Sequence, residues 1–132
     1  NPKFEILNSK QTPMLQIPSR KPNYYDLEER TLRFAQRVIS YAERLPKTPG
    51  NVEVAKQLIR AAGSVGANYI EANEALGKKD FAMKVKTCKR EAKESRYWLR
   101  LSQPEDKQEE ECLIQETTEL MKIFGSILEK SK

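Results

Sequence analysis

The sequence contains no histidine and only two cysteines, Cys88 and Cys112. Histidine is the commonest general base and a frequent zinc ligand, and the two cysteines lie far apart without CxxC spacing. Zinc and haem sites are therefore not expected, nor is a Ser/His or Cys/His nucleophile pair, and we expect no metal and no cofactor. Carboxylate chemistry stays open, although a chain with 19 acidic residues offers many accidental carboxylate pairs.

Long apolar runs are also absent. No stretch approaches the roughly 18 apolar residues of a membrane span, and the first residues lack the apolar core of a signal peptide. We therefore expect a cytoplasmic location and no membrane partner. Glycine is scarce, with 5 among 132 residues, while hydrophobic residues make up 38% and charged residues 33%. This balance is typical of one helical domain with solvated outer faces.

Residues 1–23 are predicted to form an extended, proline-rich arm. Prolines at positions 2, 13, 18 and 22 prevent a continuous helix there. The segment is too apolar for a simple linker, since it contains Phe4, Ile6, Leu7, Met14, Leu15 and Ile17. Two hypotheses follow: the arm packs as a strap on its own domain, or it docks on a neighbouring subunit.

Residues 24–132 are predicted to form one all-α domain, an antiparallel up-and-down four-helix bundle. Apolar residues recur there at alternating steps of three and four. The third helix has the cleanest repeat, with Phe81, Val85, Cys88, Ala92, Ser95 and Leu99, and Cys88 is therefore expected in the core. The second helix carries Val52, Ala55, Leu58, Ile59, Ala62, Val65 and Ile70. Short connections between the helices favour antiparallel neighbours.

Helix start and stop signals give approximate boundaries. The first helix is predicted over about residues 25–45, and the second begins near Asn51, a good capping residue. Gly77 is expected to stop the second helix, and the third covers about residues 80–102. Pro104 suits the first turn of the fourth helix.

The middle of the second helix is rich in small residues and includes Gly63 and Gly66. Each glycine inside a helix destabilises it by about 1 kcal/mol relative to alanine. We therefore expect these glycines to permit close contact with a neighbouring helix.

The charge is distributed unevenly. Residues 78–102 contain nine basic and three acidic residues, a net charge of +6, whereas residues 103–132 carry −4. Helical spacing gathers most of the basic residues into one stripe beside the buried seam: Lys86, Lys89, Lys93, Arg96 and Arg100, with Arg90 and Tyr97 adjacent. Such a stripe could follow a phosphate backbone, with Tyr97 stacking on a base.

A second interpretation of the stripe is internal charge pairing. The fourth helix carries its own acidic stripe, formed by Glu105, Glu109, Glu116 and Glu119. Basic and acidic rows of this kind could pair across the bundle or between subunits. Salt dependence separates the two interpretations, because nucleic-acid binding weakens steeply as salt rises.

The second helix also contains several polar residues: Arg60, Asn68, Glu71 and Asn73. Buried polar groups need partners, and Glu91 or Glu94 could approach Glu71 from the third helix. A structural network of hydrogen bonds and ion pairs is the simpler interpretation, and a ligand or catalytic carboxylate site is the alternative. Trp98 is expected to pack in the core or at an interface.

Three segments resemble one protein family: YDLEERTLRFAQRVISYAERLPKT, KQLIRAAGSVGANYIEANEA and KKDFAMKVKTCKREAKESRYWLRL. They are similar to the bacterial proteins encoded by intervening sequences in ribosomal RNA genes, and the likeness covers about residues 24–131. The Avd accessory protein of diversity-generating retroelements resembles the chain more distantly. The chain has the residues Ala72-Asn73 at the place where many relatives have the tripeptide Ala-Glu-Gly.

The resemblance implies an antiparallel bundle that assembles into a ring-like homopentamer, without known enzymatic activity. It implies structural or interface roles for Arg60, Asn68 and Glu71, and a binding role for the basic third helix. The likeness to Avd implies binding of nucleic acid and of a reverse transcriptase through a basic surface.

Three functions are weighed on these grounds. The leading hypothesis is a homo-oligomer that binds structured RNA, or DNA, through phosphate contacts on the third helix. The second is a protein-interaction scaffold whose charged stripes mediate self-assembly or bind a protein partner. The third, an enzyme that uses Glu71 with Glu91 or Glu94, lacks an accompanying nucleophile or oxyanion site.

Overall fold

Residues 24–132 are described by the structure, a computed structural model, and they form four helices without any strand. The helices are α1 (Tyr24–Glu43), α2 (Pro49–Asn73), α3 (Lys78–Leu101) and α4 (Lys107–Lys130). Each helix packs against the next along the chain, and α1 also meets α4. The predicted all-α, up-and-down four-helix bundle is confirmed. The arm predicted for residues 1–23 lies outside the described residues.

The buried seam of α3 is the one that the heptad pattern predicts. Its members Val85, Cys88, Ala92, Ser95 and Leu99 are all buried, and Phe81 packs against the core at partial exposure. Burial raises the pKa of the Cys88 thiol to about 12, despite a backbone hydrogen bond that lowers it. Cys88 is therefore an unreactive core residue, because only the thiolate is nucleophilic.

The prediction for α2 is wrong at three apolar positions. Val52, Ile59 and Ile70 are exposed on the outer side of the helix, while Tyr69 and Ala61 are fully buried. The neighbouring helices bury only a narrow stripe of each helix, and the apolar residues of α2 extend over a wider arc than that buried stripe. Part of the hydrophobic surface of α2 is consequently left uncovered.

Both ends of α2 differ from the prediction. Thr48, rather than Asn51, caps the helix: its hydroxyl accepts a hydrogen bond from the Asn51 N–H at 3.1 Å, and Pro49 follows in the first turn. The helix ends at Asn73, and Gly77 instead stands as the cap residue of α3. The Asn51 side chain is buried and joins two loops, donating to the carbonyl oxygens of Pro46 and Gln103.

The start of α4 also lies later than predicted. Asp106 is the capping residue, and its carboxylate accepts a hydrogen bond from the Glu109 N–H at 3.0 Å. Pro104 is buried before the helix rather than within its first turn. A side-chain acceptor satisfies an otherwise unpaired N–H group, which proline at this end could not do.

The two central glycines of α2 have different surroundings. A Cβ at Gly66 would lie 3.0 Å from the Thr31 hydroxyl oxygen, so this glycine does permit close approach of α1. A Cβ at Gly63 would meet nothing within 4 Å. The predicted close contact therefore holds at Gly66 and is wrong at Gly63.

A buried hydrogen bond joins the end of α1 to the end of α3. The hydroxyl groups of Tyr41 and Ser102 lie 2.6 Å apart, and Ser102 Oγ also donates to the Leu99 carbonyl oxygen. Burial raises the pKa of Tyr41 to about 12, although the bond to Ser102 opposes the shift. Satisfied polar groups of this kind fix the relative position of two helices without leaving a buried group unpaired.

Candidate nucleic-acid interface

The basic stripe of α3 lies on the side of the helix that adjoins α4. The Arg96 guanidinium donates to the Thr118 hydroxyl at 3.4 Å, and the Lys89 ammonium lies 3.5 Å from the position of a Cβ at Gly125. These contacts place the long side chains over the α3–α4 seam, with apolar stems on the bundle and charged ends toward solvent.

Most cations of the stripe are exposed, and they make no ion pair with any residue between 26 and 132. These exposed cations are Lys86, Lys89, Arg90, Lys93 and Arg100, which we call the α3 basic face. Arg96 is only partly exposed, and its contact with Thr118 makes it a supporting residue at the edge of this face. The sequence-predicted stripe is therefore one continuous surface.

Tyr97 is 58% exposed and stands beside the α3 basic face. Its ring meets Trp98 edge-on, with the centroids 5.0 Å apart and the planes at 78°. Trp98 itself is partly buried and packs against the core, in agreement with its predicted packing role. An aromatic ring held by a partly buried neighbour is a rigid surface on which a base could stack.

Lys122 on α4 adds to the basic surface, although it lies outside the stripe predicted on the third helix. The residue is exposed and follows Thr118, which contacts Arg96, by four positions along the same face of α4. Its charge belongs to a helix that is acidic as a whole, and for that reason the helix-by-helix charge count did not reveal it. The helical spacing from Thr118 could have done so only if the contact between α3 and α4 had been known.

The acidic stripe of α4 faces α1 rather than α3. Arg30 binds Glu116 through two hydrogen bonds of 2.8 and 2.9 Å, and Arg37 binds Glu109 through bonds of 3.0 and 3.3 Å. Hydrogen bonding to Glu116 raises the pKa of Arg30, with burial opposing it. Burial likewise opposes ionisation of Arg37, but Glu109 outweighs it and raises the pKa of that guanidinium.

The other two members of the acidic stripe form no close ion pair among residues 26–132, although the charge of Glu119 also acts on Arg30. Glu105 lies exposed in the loop before α4, and Glu119 accepts a hydrogen bond from Gln115 at 2.8 Å. Pairing of the basic and acidic stripes across one bundle is therefore wrong, because the acidic stripe lies on the opposite flank of α4. Pairing between subunits stays a prediction.

The polar residues of α2 form two separate clusters against α3. Arg60 pairs with Glu94 at 3.1 Å and with Glu91 at 3.7 Å, whereas Glu71 pairs with Lys84 at 2.7 Å. Lys84 and Glu91 are seven residues apart on α3, which corresponds to about 10 Å along the helix axis. Glu71 therefore lies with Lys84, away from Glu91 and Glu94, and no catalytic carboxylate pair forms.

The two asparagines of this helix make local contacts. Asn68 donates to the Ser64 carbonyl oxygen at 2.8 Å, and Asn73 donates to the Glu28 carboxylate at 2.7 Å. Asn73 thus links α2 to α1. These contacts, like the ion pairs of Arg60 and Glu71, have the form of the structural network that the sequence suggested.

An open cleft of about 680 Å³ lies where the start of α2 meets the end of α3. It is lined by Thr48, Gly50, Asn51, Glu53, Val54, Gln57, Trp98, Leu101 and Gln103. Its one ionisable side chain is that of Glu53, so it brings no catalytic group together with another. Across residues 24–132 there is no cluster of His, Cys, Asp or Glu suited to hold a metal ion, and no helix is long and apolar enough to cross a membrane.

The fold and surface define the class of protein as an antiparallel four-helix bundle with one unpaired basic face. Residues 25–126 match the family described as 23S rRNA-intervening sequence protein, and the chain belongs to that family. The family resemblance predicted from the sequence is confirmed, while the more distant likeness to Avd stays a prediction. The search of the curated proteins gives no match.

A solved structure shares the fold. It is a protein of unknown function from the S23 ribosomal protein family of Bacteroides thetaiotaomicron. The two chains are 29% identical, the TM-score is 0.68, and the match covers 77% of this chain and 97% of the other. The shared bundle therefore accounts for nearly the whole of that relative.

Proposed function

We propose that this protein is a non-enzymatic homo-oligomer that binds nucleic acid, and structured RNA in particular, through the α3 basic face. The observation that carries the proposal is the contrast in charge pairing within the bundle. Two arginines of α1, and Arg44 just beyond it, have carboxylate partners on or just before α4, whereas the cations of the α3 basic face have none among the described residues. The family description places the intervening sequence in 23S rRNA, and structured RNA is therefore the first ligand to test.

The geometry of the face suits a phosphate backbone. Lys86 and Arg100 are 14 residues apart, so the face extends about 21 Å along the helix. With Arg96 included at the edge of the face, Lys86, Lys89, Lys93, Arg96 and Arg100 follow one another at steps of three and four residues, which gives a spacing of about 5 Å along the helix axis between successive charges. Contacts of this kind neutralise phosphates and release bound counterions, and they recognise shape rather than base sequence.

The non-enzymatic part of the proposal rests on the pairing of the polar residues. Glu71 pairs with Lys84, and Glu91 and Glu94 pair with Arg60, so all three carboxylates have structural contacts within the bundle. The sequence also contains no histidine.

Charge reversal tests the binding proposal. We expect the fourfold variant K86E/K89E/K93E/R100E to bind a structured RNA at least 100-fold more weakly than the parent in 50 mM salt, as measured by fluorescence anisotropy. Arg96 is left unchanged because it contacts Thr118. Equal binding by the variant, with its helical circular dichroism unchanged, would contradict the proposal.

The matched control reverses four cations outside the face. Arg33, Lys47, Lys56 and Lys130 are all exposed, and the variant R33E/K47E/K56E/K130E changes the net charge by the same amount. This control should lose far less affinity than the fourfold variant of the face. A similar loss in both would show that net charge, rather than the α3 basic face, determines binding.

The homo-oligomeric part is tested separately by light scattering, and the family resemblance leads us to expect a pentamer. A monomeric mass at micromolar concentration would contradict this part alone. Purification without nuclease gives a further check, since bound nucleic acid raises the ratio of absorbance at 260 nm to that at 280 nm.

A protein-interaction scaffold is the second candidate, and unpaired carboxylates on and just before α4 favour it. Glu105, Glu110 and Glu111 have no ion-pair partner among the described residues, so they are available to the α3 basic face of another copy or to a protein partner such as a reverse transcriptase. On this alternative, the fourfold variant of the face should lower the assembly mass. An unchanged mass together with lost RNA binding would favour nucleic acid.

A further inference from the structure

An apolar groove follows the outer side of the seam between α1 and α2. Leu32 and Ile39 on α1 are 50% and 41% exposed, and Val52, Ile59 and Ile70 on α2 are exposed to a similar degree. Steps of seven residues on α1, and of seven and eleven on α2, keep each set on one helix face. These five side chains define the α1–α2 groove.

Contacts between the two helices bring the two sets together. Thr31, the neighbour of Leu32, lies against Gly66, and Asn73 donates to the Glu28 carboxylate at 2.7 Å. Gly63 lies between Ile59 and Ile70 with open space above it, so no side chain of residues 26–132 fills the middle of the groove. The groove extends about 27 Å from Val52 to Ile70 at 1.5 Å per residue.

The edges of the groove are acidic. Glu28 precedes Leu32 by four residues, Glu43 follows Ile39 by four, and Glu74 follows Ile70 by four. Such spacing places each carboxylate at the margin of the apolar surface. Lys56, which lies between Val52 and Ile59, is the single cation at these positions, and the edge has a net charge of −2.

Residues 1–23 have the complementary chemistry. They contain four basic residues and one acidic residue, a net charge of +3, and six large apolar residues. The segment joins α1 at residue 24, at the end of the groove where Ile70 lies. If extended it would reach about 75 Å, which is more than twice the length of the groove even after a turn at its join with the bundle.

We propose that residues 1–23 dock into the α1–α2 groove of their own chain, with apolar side chains on Leu32, Ile39, Ile59 and Ile70 and basic side chains along the acidic edges. The covalent link keeps the segment at a high effective concentration beside the groove. This proposal is independent of RNA binding, because the groove and the α3 basic face lie on different sides of the bundle.

Limited proteolysis of the full chain tests the docking. We expect Ile59→Glu to speed tryptic cleavage after Lys10 and Arg20 at least fivefold, because a carboxylate in the groove repels apolar side chains. Met83→Glu is the matched control, since Met83 is exposed on α3, away from the groove. Equal cleavage rates in the parent and in Ile59→Glu would overturn the proposal.

A crosslinking experiment remains decisive if Ile59→Glu also loosens the bundle. Beyond a turn at the join, about five extended residues leading to Leu15 span about 16 Å, which is the distance along α2 from Ile70 to Ile59. In a Cys112→Ser background, Leu15→Cys with Ile59→Cys should therefore oxidise to a link within one chain at every protein concentration, and Leu15→Cys with Met83→Cys should not. A link between chains would overturn docking in the same chain and assign the groove to the arm of a neighbour. Absence of any link would overturn the docking itself.

Discussion

The helices α1 and α3 lie at opposite corners of the bundle, and they differ in whether their exposed cations form ion pairs. Arg30, Arg37 and Arg44 follow one another at steps of seven along and just beyond α1, and each has a carboxylate partner on or just before α4. On α3, the exposed cations of the basic face have no such partner among the described residues.

The two helices also differ in packing, because α3 has more extensive contacts with its neighbours than α1 has. α3 has extensive contacts with both α2 and α4, whereas α1 packs mainly on α2 and has few contacts with α4 apart from these ion pairs. Hydrophobic burial therefore holds α3 in place without help from the cations of its basic face, since apolar area is the main stabilising contribution to a fold. The arginines of α1 contribute to its own attachment, whereas the cations of the α3 basic face remain available to a partner.

The largest expected difference between the two helices is in their response to salt concentration. If the α3 basic face together with Arg96 contributes about six phosphate contacts, raising salt from 50 to 200 mM should lower RNA affinity about 1,000-fold. Unfolding by urea over the same range should change by less than about 1 kcal/mol, because partly exposed ion pairs contribute little. An RNA affinity that does not vary with salt would contradict the proposed phosphate contacts of the α3 cations.

Substitution of the two central glycines of α2 tests how closely α1 depends on α2. Gly66→Ala should lower the free energy of unfolding by about 1 to 3 kcal/mol, because its Cβ would press on a Thr31 hydroxyl that donates to the Leu27 carbonyl oxygen. Gly63→Ala is the control, and it should stabilise the protein by up to about 1 kcal/mol. Urea titration measures both, and equal effects would contradict the assigned contact.

Reversal of one α1 arginine tests the ion pairs. Arg30→Glu places a second carboxylate beside Glu116 and should destabilise the fold by about 1 to 2 kcal/mol, with Glu116→Arg in the same chain restoring most of the loss. Lys93→Glu on the α3 basic face should change stability by less than about 0.5 kcal/mol. If both reversals destabilise the protein equally, the contrast between the two helices is wrong.

The smallest effect is expected at the hydrogen bond between α1 and α3. Tyr41→Phe should destabilise the protein by about 1 kcal/mol at pH 7, through loss of the bond to Ser102. The fold raises the pKa of Tyr41 from 10.0 to about 12, so the folded state binds this proton more tightly than the unfolded state does. The parent therefore loses stability from this group as pH rises from 10 to 12, and the difference in free energy of unfolding between the parent and Tyr41→Phe should shrink. Chemical denaturation at pH 7, 10 and 11 measures this difference, and a constant difference would contradict the raised pKa of Tyr41.

The sequence predicted the helices well, because burial of a helical stripe leaves a local pattern. The heptad of α3 identified Cys88 and Leu99 as core residues, and both are completely buried. The same reasoning placed Ile59 and Ile70 in the core and missed Tyr41 and Tyr69. Periodicity shows that a helix is amphipathic, but it does not show how wide an arc the neighbouring helices will cover.

Helix ends were less predictable, because several capping residues competed at each one. Asn51 is a good cap in isolation, but Thr48 and Pro49 together satisfy the first turn and leave the Asn51 amide free to join two loops. The prolines and glycines gave the correct number of helices. Which side chain accepts each terminal N–H depends on the path of the loop.

The sequence by itself determined four amphipathic helices, their order, the basic character of α3 and the acidic character of α4. Only the tertiary structure decided that Glu109 and Glu116 pair with α1, and that the α3 basic face is left unpaired. Each helix of a bundle has two flanks beside its buried stripe, and the sequence of one helix does not specify which neighbour lies on which flank. Packing of all four helices makes that choice, and it leaves the cations of α3 facing solvent.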